Sequence, residues 1–321
     1  MRILVTNDDG IDSEGLHILA RAMTEHGDVT VVAPDDEYSG ASAALGALHR
    51  IHPEVHQTSI DGVREAWSVS GPPALCVMFA RLGAFGPPFD LVVSGINPGV
   101  NVGRSIYHSG TIGAALTARS GGISGVAVSQ AVQGYGVEGQ GWDEMLSGQL
   151  WDSAAAVAGA VVGALVDAPP APRTDPDRPG GDRPSAEPPD RDRTTPDRTP
   201  ADRPARPLGP VVVNLNVPNL RIERLAGWRH TTIGRIPPRV IAEASLVPTL
   251  GHPGRFRVAM KWGDAVSLPD GTDGGAIERD QVSVTLLGTL SDGRAARDNS
   301  PENAAEAAIT RALDALLSAR A

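Results

Sequence analysis

The chain has 321 residues, 41% of them hydrophobic, which is enough to bury a large core and too apolar for a protein disordered throughout. Its formal charge of -10 argues against a broad nucleic-acid surface, because phosphate backbones demand basic stripes; Lys261 is the only lysine, so cationic chemistry falls to arginine or to a metal. A single cysteine, Cys76, excludes an intrachain disulfide and a multi-cysteine zinc site, and its apolar neighbours from Ala74 to Phe79 mark it as a buried small hydrophobe.

Ile3 to Thr6 reads as a buried strand that runs without a spacer into Asn7-Asp8-Asp9-Gly10. Glu14 to His26 follows as a helix with Leu16, Leu19, Ala20 and Met23 on one face, and Gly27 stops it. Val29 to Ala33 is a second β-branched run, which completes a βαβ unit with parallel strands and a right-handed crossover. Leu91 to Val93 and Val126 to Val128 are two more short apolar strands, with a helix-like stretch from Thr111 to Ser120 between them. Their unbroken apolar character assigns both to the same buried parallel sheet. Asp143 to Asp167 reads as one long Ala-rich helix and Val211 to Asn216 as a further strand. The strand and acidic turn begin at once, without the pattern of a signal peptide, and the apolar run Ala154 to Val166 is too short to span a bilayer. The expectation is a soluble, cytoplasmic protein.

From Pro169 to Pro207 the composition collapses into Pro, Asp, Arg and Thr with almost no large apolar residue, so burial cannot offset the ordering entropy. A disordered surface insertion is expected there. A nucleic-acid-binding arm is the weaker alternative, because its arginines are interleaved with aspartates. After Val217-Pro218, short runs such as Arg255 to Met260 and Val282 to Leu287 are broken by Gly and Pro in the manner of hairpins, and Ser300-Pro301-Glu302 opens a final amphipathic helix. The expected division is a Rossmann-like α/β core over 1–168 and 208–218, the insertion over 169–207, and a C-terminal hairpin region with its helix over 219–321.

The chemistry gathers in four loops expected on one edge of the sheet, where open α/β sheets bind ligands. The first brings Asp8 and Asp9, the second offers the hydroxyl of Ser39, and the third offers the side-chain carbonyls of Asn97 and Asn101. The fourth, His108-Ser109-Gly110-Thr111, stands immediately before a helix, where backbone N–H groups and the helix dipole attract an anion. Two carboxylates, a hydroxyl and an amide oxygen, completed by water, suit a magnesium or manganese ion. A phosphate at the helix end beside that ion would complete a phosphoryl-transfer site. Each piece alone reads equally as an ordinary turn or cap. Their combination is what carries the inference.

Thr6-Asn7-Asp8-Asp9-Gly10, Ala33-Pro34-Asp35 with Ser39-Gly40-Ala41-Ser42, Val93 to Asn97 with Gly99 and Asn101-Val102-Gly103, and Ser109-Gly110-Thr111 together resemble the signature of the SurE family, stationary-phase survival proteins that act as metal-dependent 5'-nucleotidases. The likeness resumes at Asn214-Leu215-Asn216-Val217-Pro218 and from Thr272-Asp273 to Leu287. The resemblance implies a Rossmann-like core with a C-terminal β-hairpin region exchanged between subunits, in a homodimer or homotetramer. It also implies hydrolysis of nucleoside monophosphates, with 3'-nucleotides and short polyphosphate as further substrates. Carried over by position, one divalent metal per subunit, Mg2+ or Mn2+, would be held by Asp8, Asp9, Ser39 and Asn97. Asn101, Ser109, Gly110 and Thr111 would line the phosphate pocket, and Asp8, Asp9 and Asn101 would take part in the chemistry.

The chain departs from that pattern by the atypical insertion from Pro169 to Pro207, by Pro72 where the family usually has Thr, and at four further positions. Asp36 stands where the family usually has Arg, Leu75 where it has Asp, His108 where it has Tyr, and Gln281 where Tyr often precedes the last strand. Rival readings fit less well. A receiver domain needs a phospho-accepting Asp at a later strand end, where this chain has Ser94-Gly95, and a haloacid-dehalogenase phosphatase needs Asp-x-Asp, where position 10 is Gly. A dinucleotide oxidoreductase lacks its Gly-x-Gly-x-x-Gly after the first strand. The rival from another class is a catalytically weak member that serves as a metal-dependent nucleotide-binding sensor.

Overall fold

The computed structural model describes residues 1–46, 48, 52–132, 142–167, 210–235, 241–252, 254–264, 266–288 and 301–318. The Pro169 to Pro207 insertion lies outside them. In chain order the strands are β1 (Arg2–Thr6), β2 (Asp28–Pro34), β3 (Val55–Thr58), β4 (Glu65–Val69), β5 (Leu91–Pro98), β6 (Ser124–Gln130), β7 (Val212–Val217), β8 (Trp228–His230), β9 (Ile241–Pro248), β10 (Phe256–Trp262) and β11 (Val282–Leu287). The helices are α1 (Glu14–Met23), α2 (Pro73–Arg81), α3 (Gly110–Ser120), α4 (Trp142–Leu146), α5 (Trp151–Asp167), α6 (Asp273–Ile277) and α7 (Pro301–Ser318).

Nine strands form one sheet in the order β3-β4-β2-β1-β5-β6-β7-β11-β8, and all neighbours from β4 to β7 run parallel. Both faces of this sheet are covered, which is why its central strands are continuous apolar runs and do not alternate. Ile3 and Val5 on one face and Leu4 on the other are all wholly buried. The first face packs against α1, α5 and α7 through Leu16, Leu19, Val161 and Leu313, and the second against α2 and α3 through Cys76, Val77, Ala114 and Ala118. Each fully buried Leu or Ile here contributes about 1.5–3 kcal/mol. Cys76 is therefore core, as its neighbours suggested, and burial pushes its thiol well above the ordinary value.

From β1 the chain moves outward to β2 on one side and later to β5 on the other, so the strand order reverses between β1 and β5. Such a reversal opens a crevice at the carboxyl ends of the two strands. Thr6 and Ser94 face each other there in register. Beyond Ser94 the register of β5 against β6 shifts before resuming at the Asn97–Ser129 pair. Gly95 makes the shift possible: its φ is +135°, and a Cβ on it would stand 2.2 Å from the Val128 carbonyl oxygen.

Three expectations need correction. The stretch expected as one helix from Asp143 to Asp167 is broken between α4 and α5, where Asn219 accepts from the Leu150 N–H at 2.9 Å and donates to the Gly148 carbonyl at 3.0 Å. The first helix ends at Met23 and not at His26, and the Thr24 N–H closes on the Arg21 carbonyl. Val282 to Leu287 is no hairpin arm, since β11 lies in the main sheet, antiparallel to β7 and parallel to β8. Arg255 to Met260 does belong to a hairpin, with β10 pairing antiparallel to β9 as a separate two-stranded sheet.

Candidate active site

The first loop is organised by Asn7. Its buried amide donates to the Gly10 carbonyl at 3.0 Å and to the Ser13 hydroxyl at 2.6 Å, so the chain folds back into α1 and leaves Asp8 and Asp9 at the head of β1. Asp8 is 2% exposed and lies against the start of α3. The Thr111 hydroxyl donates to its Oδ1 at 2.7 Å, and a Cβ on Gly110 would stand 2.7 Å from its Oδ2. Ser109 caps the helix, its hydroxyl accepting from the Ile112 N–H at 3.1 Å. The positive helix end thus holds Asp8 as well as any anion that binds beside it.

The second loop closes over the first: the Tyr38 N–H donates to the Asp8 carbonyl at 2.7 Å, and the Ser42 N–H reaches the His108 carbonyl at 3.1 Å. Ser39, next to Tyr38, is exposed on this rim. In the third loop the Asn97 amide donates to the Gly99 carbonyl at 2.6 Å, which leaves its side-chain oxygen for another partner. Asn101 is buried, and its amide donates to Ser129 at 2.9 Å and to Thr111 at 3.4 Å. Side-chain bonds therefore join Asp8, Thr111, Asn101 and Ser129 in one line. Ser39 and Asn97 come to the same edge through their chain neighbours.

Electrostatics single out the paired acids. Burial raises the Asp8 carboxyl above the usual carboxylate range, opposed by the Thr111 hydroxyl and by the backbone N–H groups of Thr111 and Gly110. Asp9 is pushed up further, first by burial, then by the charges of Asp8 and Glu37. Among the described residues its Oδ2 is buried without a hydrogen-bond partner, as are Asn7 Oδ1 and Ser94 Oγ. Buried polar atoms without partners are rare in folded proteins and call for an explanation. Among the described residues no group of three or more His, Cys, Asp or Glu could hold a metal. The donors present are two carboxylates with neutral hydroxyl and amide oxygens, an all-oxygen set that fits a hard divalent cation such as Mg2+ or Mn2+.

The departures are placed as follows. The Asp36 backbone packs on Gly10, at 3.4 Å from where a Cβ would be. Leu75 is wholly buried in α2, His108 is exposed, and the Oε1 of Gln281 is buried without a partner. Sequence reasoning assigned no role to Asn214, Asn216 and Asp273, all of which bond to the Asn101–Gly103 segment. A signal was available for the first two: alternating asparagines in an otherwise apolar strand are a costly choice unless both are used.

The chain is similar to known proteins. The family model described as "Survival protein SurE" matches residues 3–238. Proteins named "5'-nucleotidase SurE" from Methanopyrus kandleri and Mannheimia succiniciproducens are each 45% identical, over 133 and 129 residues. Those matches cover 41% and 40% of this chain and 50% of each relative, so the chain spans about half the length of the curated relatives it matches. The crystal structure of the SurE protein from Aquifex aeolicus aligns with a TM-score of 0.61 at 25% identity, over 91% of this chain and 95% of that one. The family model thus spans all four loops and continues through β7 and β8, and on that ground the chain belongs to the SurE family.

Proposed function

We propose that this protein is a metal-dependent phosphomonoesterase that hydrolyses nucleoside 5'-monophosphates. The observation that carries the reading is the pair of buried Asp8 and half-buried Asp9, the latter with a buried oxygen that has no partner among the described residues, beside the capped N-terminus of α3 at the reversal of strand order. The names of the curated relatives support the same activity. Asp8, Asp9, Ser39 and Asn97 would hold the cation. When bound, the cation supplies Lewis acidity toward a phosphoryl oxygen. The Thr111 hydroxyl keeps Asp8 in one rotamer, and the loop bond from Tyr38 keeps its backbone in place. Donors to the equatorial phosphoryl oxygens, where charge develops during in-line attack by water, would be the Ser109 hydroxyl, the Asn101 amide on giving up its long 3.4 Å contact with Thr111, and the Gly110–Thr111 N–H groups shared with the Asp8 carboxylate. The test is turnover of nucleoside 5'- and 3'-monophosphates, short polyphosphate and a generic phosphomonoester with Mg2+, with Mn2+ and with chelator. Fastest hydrolysis of 5'-monophosphates, lost on chelation, is expected; tight metal-dependent nucleotide binding without turnover would replace the enzyme with the sensor.

We further propose that the protein works as a homodimer or homotetramer assembled through the β9–β10 hairpin. The pairs Phe256–Pro248, Val258–Leu246 and Met260–Ala244 make one face of the hairpin wholly apolar, while the other mixes Arg257, Lys261, Glu243 and Ser245 with Val247 and Ala259. Leu246, Phe256, Val258 and Met260 are 66%, 51%, 61% and 60% exposed. An isolated two-stranded ribbon is marginal in water, and a second copy over this face would supply the burial that it lacks. Sedimentation analysis of the intact chain tests it, and a monomer at micromolar concentration would refute it.

A further inference from the structure

We propose that Asp273, together with Asn214 and Asn216, positions Asn101, forming a buried polar bracket that fixes the phosphate-pocket asparagine by holding the backbone on both sides of it. The inference rests on the reading of Asn101 as a phosphate ligand. Asp273 opens α6 and is 1% exposed. Its Oδ2 accepts from the Gly103 N–H at 2.7 Å, and its Oδ1 accepts from the N–H groups of Gly234 and Gly274, both at 2.9 Å. Three donors converge on two oxygens, a task for an acceptor-only carboxylate; an asparagine has a single acceptor oxygen and would turn an NH2 group on one of these N–H groups.

Two residues upstream, the Asn101 peptide is held from both sides. The Asn101 N–H donates to Asn216 Oδ1 at 2.7 Å, while its carbonyl accepts from Asn214 at 2.9 Å and from Asn216 at 3.2 Å. Val102, between the two anchored residues, is 2% exposed and packs toward Gly274, where a Cβ would lie 3.6 Å from its Cγ2. Backbone fixed in this way leaves the Asn101 side chain one direction, along the line to Ser129, Thr111 and Asp8. Partners that orient a ligating side chain typically matter by about 10- to 100-fold in affinity or activity. None of these bonds reaches Asp9, Ser39 or Asn97. Asp8 is reached only at two removes, across the long 3.4 Å contact from Asn101 to Thr111, so the bracket acts on phosphate first and on the metal only weakly.

That separation is the test. In the intact protein, Asp273→Asn should raise both the KM for a nucleoside 5'-monophosphate and the inhibition constant of inorganic phosphate about tenfold, while the Mn2+ dissociation constant stays within about twofold of wild type. Asn214→Leu, which removes one of two donors to the Asn101 carbonyl and keeps the branched outline of the side chain, should raise the phosphate constants about threefold and serves if Asp273→Asn does not fold. Unchanged phosphate constants in a folded variant, or phosphate and Mn2+ constants that weaken in parallel, would overturn the proposal. A wild type that binds phosphate in titration calorimetry but hydrolyses nothing sinks the hydrolase reading alone. One that binds no phosphate sinks both.

Discussion

The segment from Asp8 to Thr111 contains every candidate ligand, whereas the segment beyond Val211 contains the groups that hold one of those ligands in place. The first works over short range: Asp8 and Asp9 are adjacent, and Ser109, Gly110 and Thr111 are consecutive. The second works at sequence separations of 113 to 170 residues. The curated relatives named above align over 133 and 129 residues, less than half of this chain, while the family model continues past β7. Ligand chemistry travels as a local motif because a strand end and a helix start are enough to present it. Holding it still takes the whole sheet.

The largest test of the ligand segment is removal of a carboxylate. Asp9→Asn should lower metal-dependent turnover by about 100-fold or more, the scale of losing a group that stabilises transition-state charge, while the melting temperature of the metal-free protein does not fall and, above the carboxylate range, rises as a buried charge is removed. Asp9 packs no core, and its Oδ2 has no partner to lose. Near wild-type turnover at limiting metal would remove Asp9 from the set. Gly110→Ala attacks the same point from the helix side. A Cβ there meets Asp8 Oδ2 at 2.7 Å and Asp8 Cβ at 2.8 Å, so Asp8 must move or the helix must retreat, and a loss of about tenfold or more in kcat/KM is expected. A fully active Gly110→Ala protein would show that the helix start and Asp8 need not be so close.

The raised carboxyls sharpen the comparison through pH. In the metal-free protein Asp8 and Asp9 have folded pKa values above the ordinary carboxylate value, so between those values the folded chain binds more protons than the unfolded one. Metal-free stability should therefore fall as pH rises through that window and level off above the raised values. A cation needs both groups ionised and competes with the protons. The rise in melting temperature produced by Mn2+ should be absent near the ordinary carboxylate value and grow as pH increases. Melting curves with and without Mn2+ check this, and a metal-induced shift that shrinks as pH rises would contradict the assignment.

A smaller effect on turnover is expected from the hairpin. Met260→Glu places a charge on its apolar face, opposite Ala244 in the pairing, and should shift the sedimentation profile toward smaller species while each remaining subunit keeps its site. Turnover that falls in step with dissociation would mean that the assembly helps to build the site.

Much of the core was legible because buried parallel strands announce themselves as short apolar runs rich in β-branched residues, as β1, β2, β5 and β6 do, and β7 does but for Asn214 and Asn216. The sites at their ends were legible for the same reason, since a polar residue directly after such a run has one place to go. Strands β3 and β4 are not legible in the sequence: VHQT is wholly exposed and EAWSV is mixed, and neither carries a clear period. The break between α4 and α5 was hidden because its cause is Asn219, some 70 residues downstream. Asp273 was hidden for the same physical reason. Its partners are backbone N–H groups, which every residue except proline owns, so no side-chain pattern in the sequence reveals who will meet them.

The smallest expected effect belongs to the segment between the two halves of this comparison. Replacing Pro169 to Pro207 with a short Gly-Ser linker should leave kcat/KM within about twofold, because loop closure costs only the logarithm of loop length and a shorter connection, if unstrained, is entropically cheaper. The segment has almost no large apolar side chains to contribute to a core, and its arginines alternate with aspartates. What must survive is the pairing of β7 with β6, because Asn214 and Asn216 reach Asn101 from there. The phosphate inhibition constant is therefore the sensitive readout. If it weakens while Mn2+ binding holds, the linker has strained β7 and the bracket has been felt directly. If turnover disappears while Mn2+ and phosphate both still bind, the segment takes part in catalysis, and the division between a ligand segment and a holding segment is incomplete.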